Sequence, residues 1–143
     1  MAAPVVGEVC SRRYVSVPPR RRVVEVARMI AERWMPCVFV VEEGVPVGIV
    51  TKRTLIEDVL ARGYTGMELT AGDIMRAPIR TIEAGAGLPE AAALMAHTSI
   101  RYLAVIEEGR LVGLLSDLHL ARLLPALIGA DAEPGSAARP GSV

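Results

Sequence analysis

Four polar or charged side chains occupy positions at which the folded chain could bind an anion. Thr51 and Ser116 each end an apolar run and begin a segment with helical spacing. A hydroxyl at that position caps the helix, and the unpaired N–H groups of a helix N-terminus attract phosphate. Lys52 follows Thr51, and Arg101 precedes another apolar run, so each adds a cation suited to charge-assisted hydrogen bonds. Helix capping and solvated surface charge are the simpler interpretations, and a phosphate site is the sharper one.

The histidines and cysteines give little support for catalysis. The two histidines are His97 and His119, the two cysteines are Cys10 and Cys37, and none has the spacing of a metal site or an activated nucleophile. Cys37 lies in an apolar run, where a buried, inert thiol is expected. We therefore predict that the chain is not an enzyme and has no catalytic residue, metal site or catalytic cofactor.

The composition is that of a globular protein. The 143 residues are 52% hydrophobic and 22% charged, with a formal net charge of zero. That balance excludes a disordered chain and argues against a general binder of polyanions. No apolar run approaches the roughly 20 residues that span a bilayer. The first residues lack the basic start and apolar stretch of a secretory signal, so we expect a cytoplasmic protein with no membrane partner.

An internal repeat organises the chain. Shifted by 65 residues, Gly7–Val59 aligns with Gly72–Leu124 without a gap, and eleven of the 53 aligned positions are identical. The alignment predicts two copies of one structural unit. The predicted division is a first copy at 5–61, a linker at 62–69, a second copy at 70–128 and a disordered tail at 129–143.

Each copy is predicted to form a strand, a helix, two strands and a final helix. In the first copy a short β-prone segment, Tyr14–Val17, precedes a helix whose apolar stripe runs from Val23 to Trp34 in steps of three and four. Glu42-Glu43-Gly44 is short, polar and ends in glycine, which favours a hairpin turn. The second copy repeats the pattern from Ile79 onward. One copy of about 55 residues buries little apolar surface, so the copies should pack together.

Three stretches resemble a known family. Gly72-Asp73-Ile74-Met75 is similar to the segment that leads into a CBS domain. Gly48-Ile49-Val50-Thr51 and Gly113-Leu114-Leu115-Ser116 are similar to its glycine, two apolar residues and Thr or Ser. With the order of elements and the duplication, the chain resembles a tandem CBS-domain pair, or Bateman module. The resemblance implies a mixed α/β (α+β) fold, with two β-α-β-β-α repeats packed as a pseudo-two-fold pair around two clefts.

The resemblance also implies which residues line those clefts. In the family an Asp three residues after the Thr or Ser holds the ribose, but Thr54 and His119 stand at these positions. Asp117 is two residues from His119 and points to the opposite side of the helix, which makes it a poor substitute. Arg101 stands where the family often places a His or Arg near the phosphates. The base and its apolar wall would contact the first strand of each copy, at Tyr14, Ser16, Val17 and Pro18 and at Ile79, Thr81 and Ile82. For Val17 and Ile82, simple core packing is an equal alternative.

The resemblance implies a regulatory module that binds adenosine-containing ligands, and with the cations near Thr51 we expect an adenine nucleotide, AMP or ADP, in one or both clefts. ATP and S-adenosylmethionine are further ligands of the same class. A ligand that bridges the copies would favour one conformation. A regulated partner, which the sequence does not name, would respond to that conformation. A homodimer is also expected, because the terminal helices have more apolar positions than one core stripe needs: Leu55, Ile56, Leu60, Leu120, Leu124 and Leu127.

Two other functions remain open at this point. The chain could be an interaction or dimerisation module that needs no ligand, with clefts that lost their function at Thr54 and His119. It could also bind nucleic acid through Arg12, Arg13 and Arg20–Arg22. The arginine run lacks interleaved aromatic residues, so stacking on single strands is poorly supported.

Overall fold

The structure is a computed structural model that describes residues 4–128. Over that span the chain forms two three-stranded mixed sheets with helices packed against them. The predicted mixed α/β fold with two repeats is confirmed. The tail predicted at 129–143 lies outside the described residues.

The first copy follows a short leading helix, and its sheet has β2 in the centre. β1 runs parallel to β2, and β3 runs antiparallel to it. The elements are α1 (Val6–Val9), β1 (Ser16–Val17), α2 (Val23–Arg33), β2 (Cys37–Glu42), β3 (Val45–Thr51) and α3 (Lys52–Leu55), which continues as a π-helical turn (Ile56–Leu60).

The second copy repeats this order. β5 is central, with β4 parallel and β6 antiparallel to it. The elements are α4 (Ala71–Ile74), β4 (Thr81–Glu83), α5 (Leu88–Thr98), β5 (Tyr102–Glu107), β6 (Arg110–Ser116) and α6 (Asp117–Ile128). Both first strands are shorter than predicted, since Tyr14 and Ile79 precede them.

The two predicted hairpin turns are confirmed. Glu43 and Gly44 have φ angles of 51° and 85°, and Glu108 and Gly109 have 54° and 79°. Positive φ at both central residues is typical of the type I′ turn, whose twist matches that of the flanking strands. The glycine in each turn adopts this conformation without steric cost.

The stripe predicted on α2 is correct for Val23, Val26 and Ile30, which are buried. It is wrong for Trp34. The helix ends at Arg33, and Trp34 takes a left-handed conformation with φ 54° and ψ 39°, which turns its side chain outward. Trp34 is consequently 89% exposed.

The leading helices are exchanged between the copies. On α1, Val6 is fully buried in the core of the second copy, and its N–H donates to the carbonyl of Ala86 at 2.8 Å. On α4, Ala71 and Ile74 are buried in the core of the first copy. Each copy therefore completes its core with the leading helix of the other.

A third apolar cluster joins the two sheets. Cys37 and Phe39 of β2 pack there with Ala104 of β5 and Leu114 of β6. Because these residues come from the central strands and from the strand that ends at Ser116, the cluster fixes the ends of β3 and β6 beside the opposite copy. That placement forms the clefts.

Candidate functional site

A cavity of about 790 Å³ lies between the end of β3 and the approach to β5. We name it cleft A. Thr51, Lys52 and Arg53 line it from the first copy, and Ile79 and Arg101 line it from the second. Four residues predicted at the site, from distant parts of the sequence, therefore meet in one cavity.

Cleft A is strongly basic. Its lining has five cationic side chains and a single carboxylate, that of Glu57; the cations are Lys52, Arg53, Arg76, Arg80 and Arg101. Asp58 and Asp117, outside the lining, form ion pairs with Arg76 and Arg101 and reduce the surplus of positive charge to two, on a chain whose formal net charge is zero. A cavity with such a surplus concentrates anions.

Two of these arginines are held by one carboxylate. Arg53 Nε lies 2.7 Å from one oxygen of Glu57, and Arg76 Nη2 lies 3.1 Å from the other. Arg76 also forms an ion pair with Asp58. These contacts keep two guanidinium groups at the rim of cleft A.

Arg101 is held only loosely. Its Nε lies 3.4 Å from Asp117 Oδ2, and the two side chains are 73% and 47% exposed. Exposed ion pairs contribute about 0–1 kcal/mol. Arg101 can therefore turn toward an anion in cleft A at little cost.

Thr51 is the N-cap of α3, in agreement with the simpler interpretation of this residue, which is helix capping. Its hydroxyl oxygen accepts the N–H of Thr54 at 3.3 Å, and the hydroxyl oxygen of Thr54 accepts the N–H of Thr51 at 3.2 Å. Thr54 is 2% exposed, so its side chain faces the interior rather than cleft A. The position at which the family pattern places a ribose-binding carboxylate is closed to the cleft.

A second cavity, of about 350 Å³, occupies the equivalent place on the other side of the pair. We name it cleft B. Ser116 and His119 line it from the second copy, with Arg13, Trp34 and Arg122 around them. The hydroxyl oxygen of Ser116 accepts the N–H of His119 at 3.0 Å, so Ser116 is also a helix cap. The two clefts are related by the 65-residue shift of the repeat.

A broad groove of about 1090 Å³ lies between the end of α2, the π-helical turn and α6. We name it the terminal groove. Its polar side chains are those of Lys52, Arg101, Tyr102, Ser116, Asp117 and Arg122. Its apolar lining includes four strongly exposed residues, Trp34, Ile56, Leu60 and Leu118.

Of the six apolar positions expected to be in surplus on the terminal helices, five have side chains that the structure describes, and three of these five are exposed. Ile56, Leu60 and Leu124 are exposed, whereas Leu55 and Leu120 pack against the two cores. The side chain of Leu127 lies outside the described part of the chain.

The predicted base-binding strands are less accessible than expected. The ring of Tyr14 packs edge-on against Phe39, with 6.1 Å between the ring centroids, and its hydroxyl donates to the carbonyl of Leu111. Val17 and Ile82 are core residues, in agreement with the alternative interpretation. The predicted residues outside the linings of cleft A, cleft B and the terminal groove are Tyr14, Ser16, Val17, Pro18, Thr54, Thr81 and Ile82.

Gly48 and Gly113 lie where the backbone is in close contact with another segment of the chain. A Cβ atom on Gly48 would collide with the side chain of Met75, and one on Gly113 would collide with Cys10. The two glycines therefore admit the ends of the exchanged leading segments.

Sequence reasoning missed four charged residues of cleft A, namely Arg53, Glu57, Arg76 and Arg80. Arg76 directly follows the segment Gly72–Met75, and Arg80 lies between the predicted base-binding residues Ile79 and Thr81. Because both arginines are adjacent to residues that the sequence analysis singled out, their positions could have identified them as two further cations of the site. Nothing in the sequence marks Glu57, which is one of several carboxylates on a helical segment.

The arginines proposed to bind nucleic acid mostly donate to backbone carbonyls. Arg12 donates to Val112 and Gly7, and Arg13 donates to Arg33. Arg22 donates to Met67 at 2.7 Å. These contacts give the guanidinium groups structural roles and weaken the nucleic-acid interpretation.

Burial raises the pKa of two side chains in the apolar cluster between the sheets, Cys37 and Tyr102. Burial raises the pKa of the Cys37 thiol to about 12, which agrees with an inert thiol. Burial is also the main cause that raises the pKa of Tyr102, which lines cleft A. Among residues 4–128 no three His, Cys, Asp or Glu side chains group as metal ligands. No helix in the same span has the length and apolarity to cross a membrane.

Comparison with known proteins gives a family and relatives. A family model described as CBS domain matches residues 6–61 and 71–126. The uncharacterized protein MK0525 of Methanopyrus kandleri is 33% identical over 125 residues, which cover 86% of this chain and 64% of that protein. Hypoxic response protein 1 of Mycobacterium tuberculosis is 35% identical over 78 residues, which cover 54% of each chain. The chain thus spans between half and two thirds of the length of these relatives.

Solved structures share the fold. A conserved protein from Pyrococcus horikoshii superposes with a TM-score of 0.77 at 24% identity, covering 87% of this chain and 95% of that one. The CBS domain pair of protein MJ0100, in complex with 5′-methylthioadenosine and S-adenosyl-L-methionine, gives 0.77 at 20% identity, covering 87% and 98%. Because the family matches take in most of both copies, the chain belongs to the CBS-domain family as a tandem pair, a regulatory ligand-binding module.

Proposed function

We propose that the chain is a sensor that binds an adenine nucleotide, AMP before ADP or ATP, in cleft A. The observation that supports this most is the excess of cations at cleft A, a surplus of two positive charges once the ion-pair partners Asp58 and Asp117 are counted. A phosphate monoester has about two negative charges at neutral pH, so it would balance that surplus. The cavity volume of about 790 Å³ is ample for a nucleotide.

The other end of the nucleotide would meet apolar surface. Ile49, Pro78, Ile79 and Tyr102 line cleft A beside the cations. A mostly apolar wall with a few polar groups at one end is the usual composition of a small-molecule site. In this pose the phosphate lies near Lys52 and Arg101, and the base lies against the apolar residues.

The charge of cleft A favours a nucleotide over S-adenosylmethionine. The MJ0100 domain pair was solved with S-adenosyl-L-methionine and 5′-methylthioadenosine, which supports an adenosine-containing ligand for this fold. S-adenosylmethionine has a sulfonium and an ammonium group against one carboxylate, so its net charge is positive. A lining with five cations and one carboxylate repels such a ligand.

The regulatory mechanism is a shift of conformational populations. Both copies contribute residues to cleft A, so a nucleotide there would favour the relative position of the copies that it fits best. A regulated protein would respond to that position.

A homodimer through the terminal groove is the second part of the proposal. The observation that favours it is the group of large apolar side chains exposed there: Trp34, Ile56, Leu60 and Leu118. Exposed apolar patches of this kind mark interaction surfaces. A monodisperse monomer by light scattering at micromolar concentration would refute this part.

The test of the nucleotide site is a thermal-shift screen with AMP, ADP, ATP, S-adenosylmethionine and adenosine. A ligand at 100 times its dissociation constant stabilises the fold by about 2.7 kcal/mol. For this chain length the melting temperature should rise by several degrees. We expect a shift with AMP and little with adenosine, and inorganic phosphate is the control for non-specific charge. No shift with any nucleotide would leave the interaction module as the better function.

A further inference from the structure

We infer that Arg76 is the fixed phosphate-binding cation of cleft A, and that Asp58, which lies outside the lining of the cleft, is the residue that positions it. The inference rests on the proposed function, since it names groups that recognise the phosphate of the nucleotide. Its basis is the set of contacts that hold Arg76, compared with those that hold the other cations of the cleft.

The backbone of Arg76 is fixed by β3. Its N–H donates to the carbonyl of Ile49 at 2.9 Å, and the N–H of Ile49 donates to the carbonyl of Arg76 at 3.1 Å. Ile49 lies in β3 shortly before Thr51, the N-cap of α3. This reciprocal pair holds Arg76 beside the end of β3, which borders cleft A.

The side chain of Arg76 is fixed as well. Its Nη1 donates to Asp58 Oδ2, and its Nη2 donates to Glu57 Oε1 at 3.1 Å. Two carboxylates on adjacent residues thus hold the two terminal nitrogens of one guanidinium group, which determines the orientation of its plane as well as its position. The side chain of Asp58 is 19% exposed and that of Glu57 is 43% exposed. The contact with Asp58 is therefore the less screened of the two.

The other cations of cleft A are held less firmly. Arg53 and Arg101 each contact one carboxylate, and their side chains are 83% and 73% exposed. Lys52 and Arg80 form no ion pair with any of the residues that the structure describes. A long side chain loses conformational entropy when a ligand orders it. Because Arg76 is already ordered, it loses less than the other four cations when it binds an anion.

Arg76 keeps donors for a ligand. A guanidinium group has five N–H groups, and the contacts with Asp58 and Glu57 use two of them. Arg76 lines cleft A, so the remaining donors are available to an anion there. The two carboxylates lower the attraction of Arg76 for an anion, but they give it a position that need not change on binding. We expect this preorganisation to outweigh the loss of charge.

The arrangement occurs at one of the two clefts. The 65-residue shift pairs Arg76 with Ser11 and Asp58 with a leucine, so cleft B has neither a guanidinium group nor a carboxylate at these positions. The backbone contact is retained, because Ser11 and Leu114 exchange hydrogen bonds as Arg76 and Ile49 do. The ion-paired arginine is therefore a property of cleft A alone and not of the repeat.

Charge and positioning predict opposite effects for Asp58. Asp58 does not line cleft A, and if only charge matters, removal of its negative charge should tighten the binding of AMP. If Asp58 positions Arg76, its removal should weaken the binding of AMP despite the gain in positive charge. The sign of the change in affinity therefore identifies the role of Asp58.

The first experiment is calorimetry of AMP and adenosine with the full chain and with its Asp58→Asn variant. We expect AMP to bind the variant about three- to ten-fold more weakly, because a hydrogen bond to a charged partner is lost at Arg76. Adenosine should bind as it does to the wild type, since it has no phosphate.

Asp73→Asn is the matched control. Asp73 and Asp58 line the same cavity of about 290 Å³, which also borders Arg76. Asp73 accepts the N–H of Thr70 and contacts no arginine in the described part of the chain. The control therefore removes the same charge without releasing Arg76, and it should not weaken the binding of AMP.

A double-mutant cycle tests whether Asp58 acts through Arg76. Arg76→Gln should weaken the binding of AMP about ten-fold. When Asp58→Asn is added to that variant, the affinity for AMP should stay the same or rise, because only the effect of charge remains. A second loss as large as the one in the wild-type background would show that Asp58 does not act through Arg76.

Arg76→Lys gives an independent test that does not alter Asp58. Lysine keeps the positive charge but has one terminal nitrogen, so both carboxylates cannot hold it in the fork geometry of arginine. The variant should bind AMP about three- to ten-fold more weakly than the wild type. It also decides the question if Asp58→Asn does not fold, since affinity equal to that of the wild type would contradict a role for fixed geometry.

Each outcome decides between the proposals. No binding of AMP to the wild type would overturn the nucleotide site and, with it, the role of Arg76. AMP affinity that is unchanged or higher in Asp58→Asn would overturn the positioning of Arg76 and leave the nucleotide site intact. Equal losses of AMP and adenosine affinity would show that the variant alters the whole cleft, and would refute a role specific to phosphate.

Discussion

Cleft A and cleft B occupy equivalent places in the repeat but differ in size and charge. Their volumes are about 790 and about 350 Å³. Arg101 in cleft A corresponds to Pro36, and Arg76 corresponds to Ser11, which lines cleft B. Cleft B therefore lacks these two cations of the candidate phosphate site, and its own cations are Arg13 and Arg122.

Two other corresponding pairs extend the difference. Glu57, which holds two arginines beside cleft A, corresponds to Arg122 in cleft B. Ser99 in cleft A corresponds to Trp34 in cleft B, so a small polar side chain in one cleft is replaced by a large aromatic side chain in the other. The caps and cores of the copies remain alike, while the cavity walls have diverged. We conclude that the repeat preserves the secondary structure, the helix caps and the cores. The residues that line each cleft determine what it binds.

The largest effect is expected at the residue that distinguishes the clefts most. Arg101→Ala should weaken AMP about 10- to 100-fold, since a hydrogen bond to a charged group contributes about 1.5–3 kcal/mol. Adenosine affinity should not change, because the lost partner is phosphate. Calorimetry measures both affinities. Arg13→Ala in cleft B is the matched control, and a similar loss of AMP there would show that cleft B also binds the nucleotide.

The next prediction compares Gly48 and Gly113, at each of which the backbone is in close contact with another segment of the chain. Gly48→Ala and Gly113→Ala should each lower the free energy of unfolding by about 1–3 kcal/mol, because a methyl group overfills a packed site. Gly48→Ala should cost more. Its new methyl group would collide with three atoms of Met75, including the Cβ atom, which side-chain rotation cannot move, whereas the methyl group on Gly113 would collide only with Cys10 Sγ.

Urea denaturation measures this difference. Met75→Ala in the Gly48→Ala background should restore part of the lost stability, because it removes the side chain that the new methyl group meets. Absence of rescue would contradict the assignment of Gly48 to the exchanged segment.

A smaller effect distinguishes the two positions that follow the helix caps. Thr54→Val should cost about 1 kcal/mol, since the hydroxyl of Thr54 takes part in the cap while its volume is retained. His119→Ala should change stability by less than about 0.5 kcal/mol, because only its backbone N–H contacts the cap of Ser116. Equal losses in urea denaturation would mean that the two caps do not differ.

The smallest effect concerns the acid sensitivity of α4. The backbone N–H of Thr70 donates to Asp73 Oδ2 at 2.8 Å and is the main cause that lowers the pKa of this carboxyl. A lowered pKa in the folded state means that the carboxylate stabilises the fold above its ordinary pKa. This contribution is lost as the pH falls through the lowered pKa. Asp73→Asn should therefore reduce the loss of stability between neutral and acidic pH, and equal losses would contradict this.

The elements of the fold were predictable because their signals are local. The alignment of Gly7–Val59 with Gly72–Leu124 revealed the repeat, and the spacing of Val23, Val26 and Ile30 marked the buried face of α2. The stripe fails at Trp34 because periodicity cannot detect a left-handed helix end that lacks glycine.

The site was predictable only in part, because it depends on how the copies pack. Thr51, Lys52 and Arg101 were identified from positions next to predicted elements. The inward orientation of Thr54 and the role of Glu57 depend on contacts that no spacing shows. The charge of cleft A is a sum over several separate segments, so it appears only when the fold brings them together.

The exchange of α1 and α4 makes the two copies one cooperative unit. A cut between Leu69 and Thr70 would leave each fragment with the leading helix that the other fragment needs, since Val6 fills the second core and Ala71 fills the first. The fragments would have to associate before either core is complete. The duplicated chain should therefore unfold in a single transition, and the relative position of the copies, on which sensing depends, is fixed by mutual core completion rather than by surface contact.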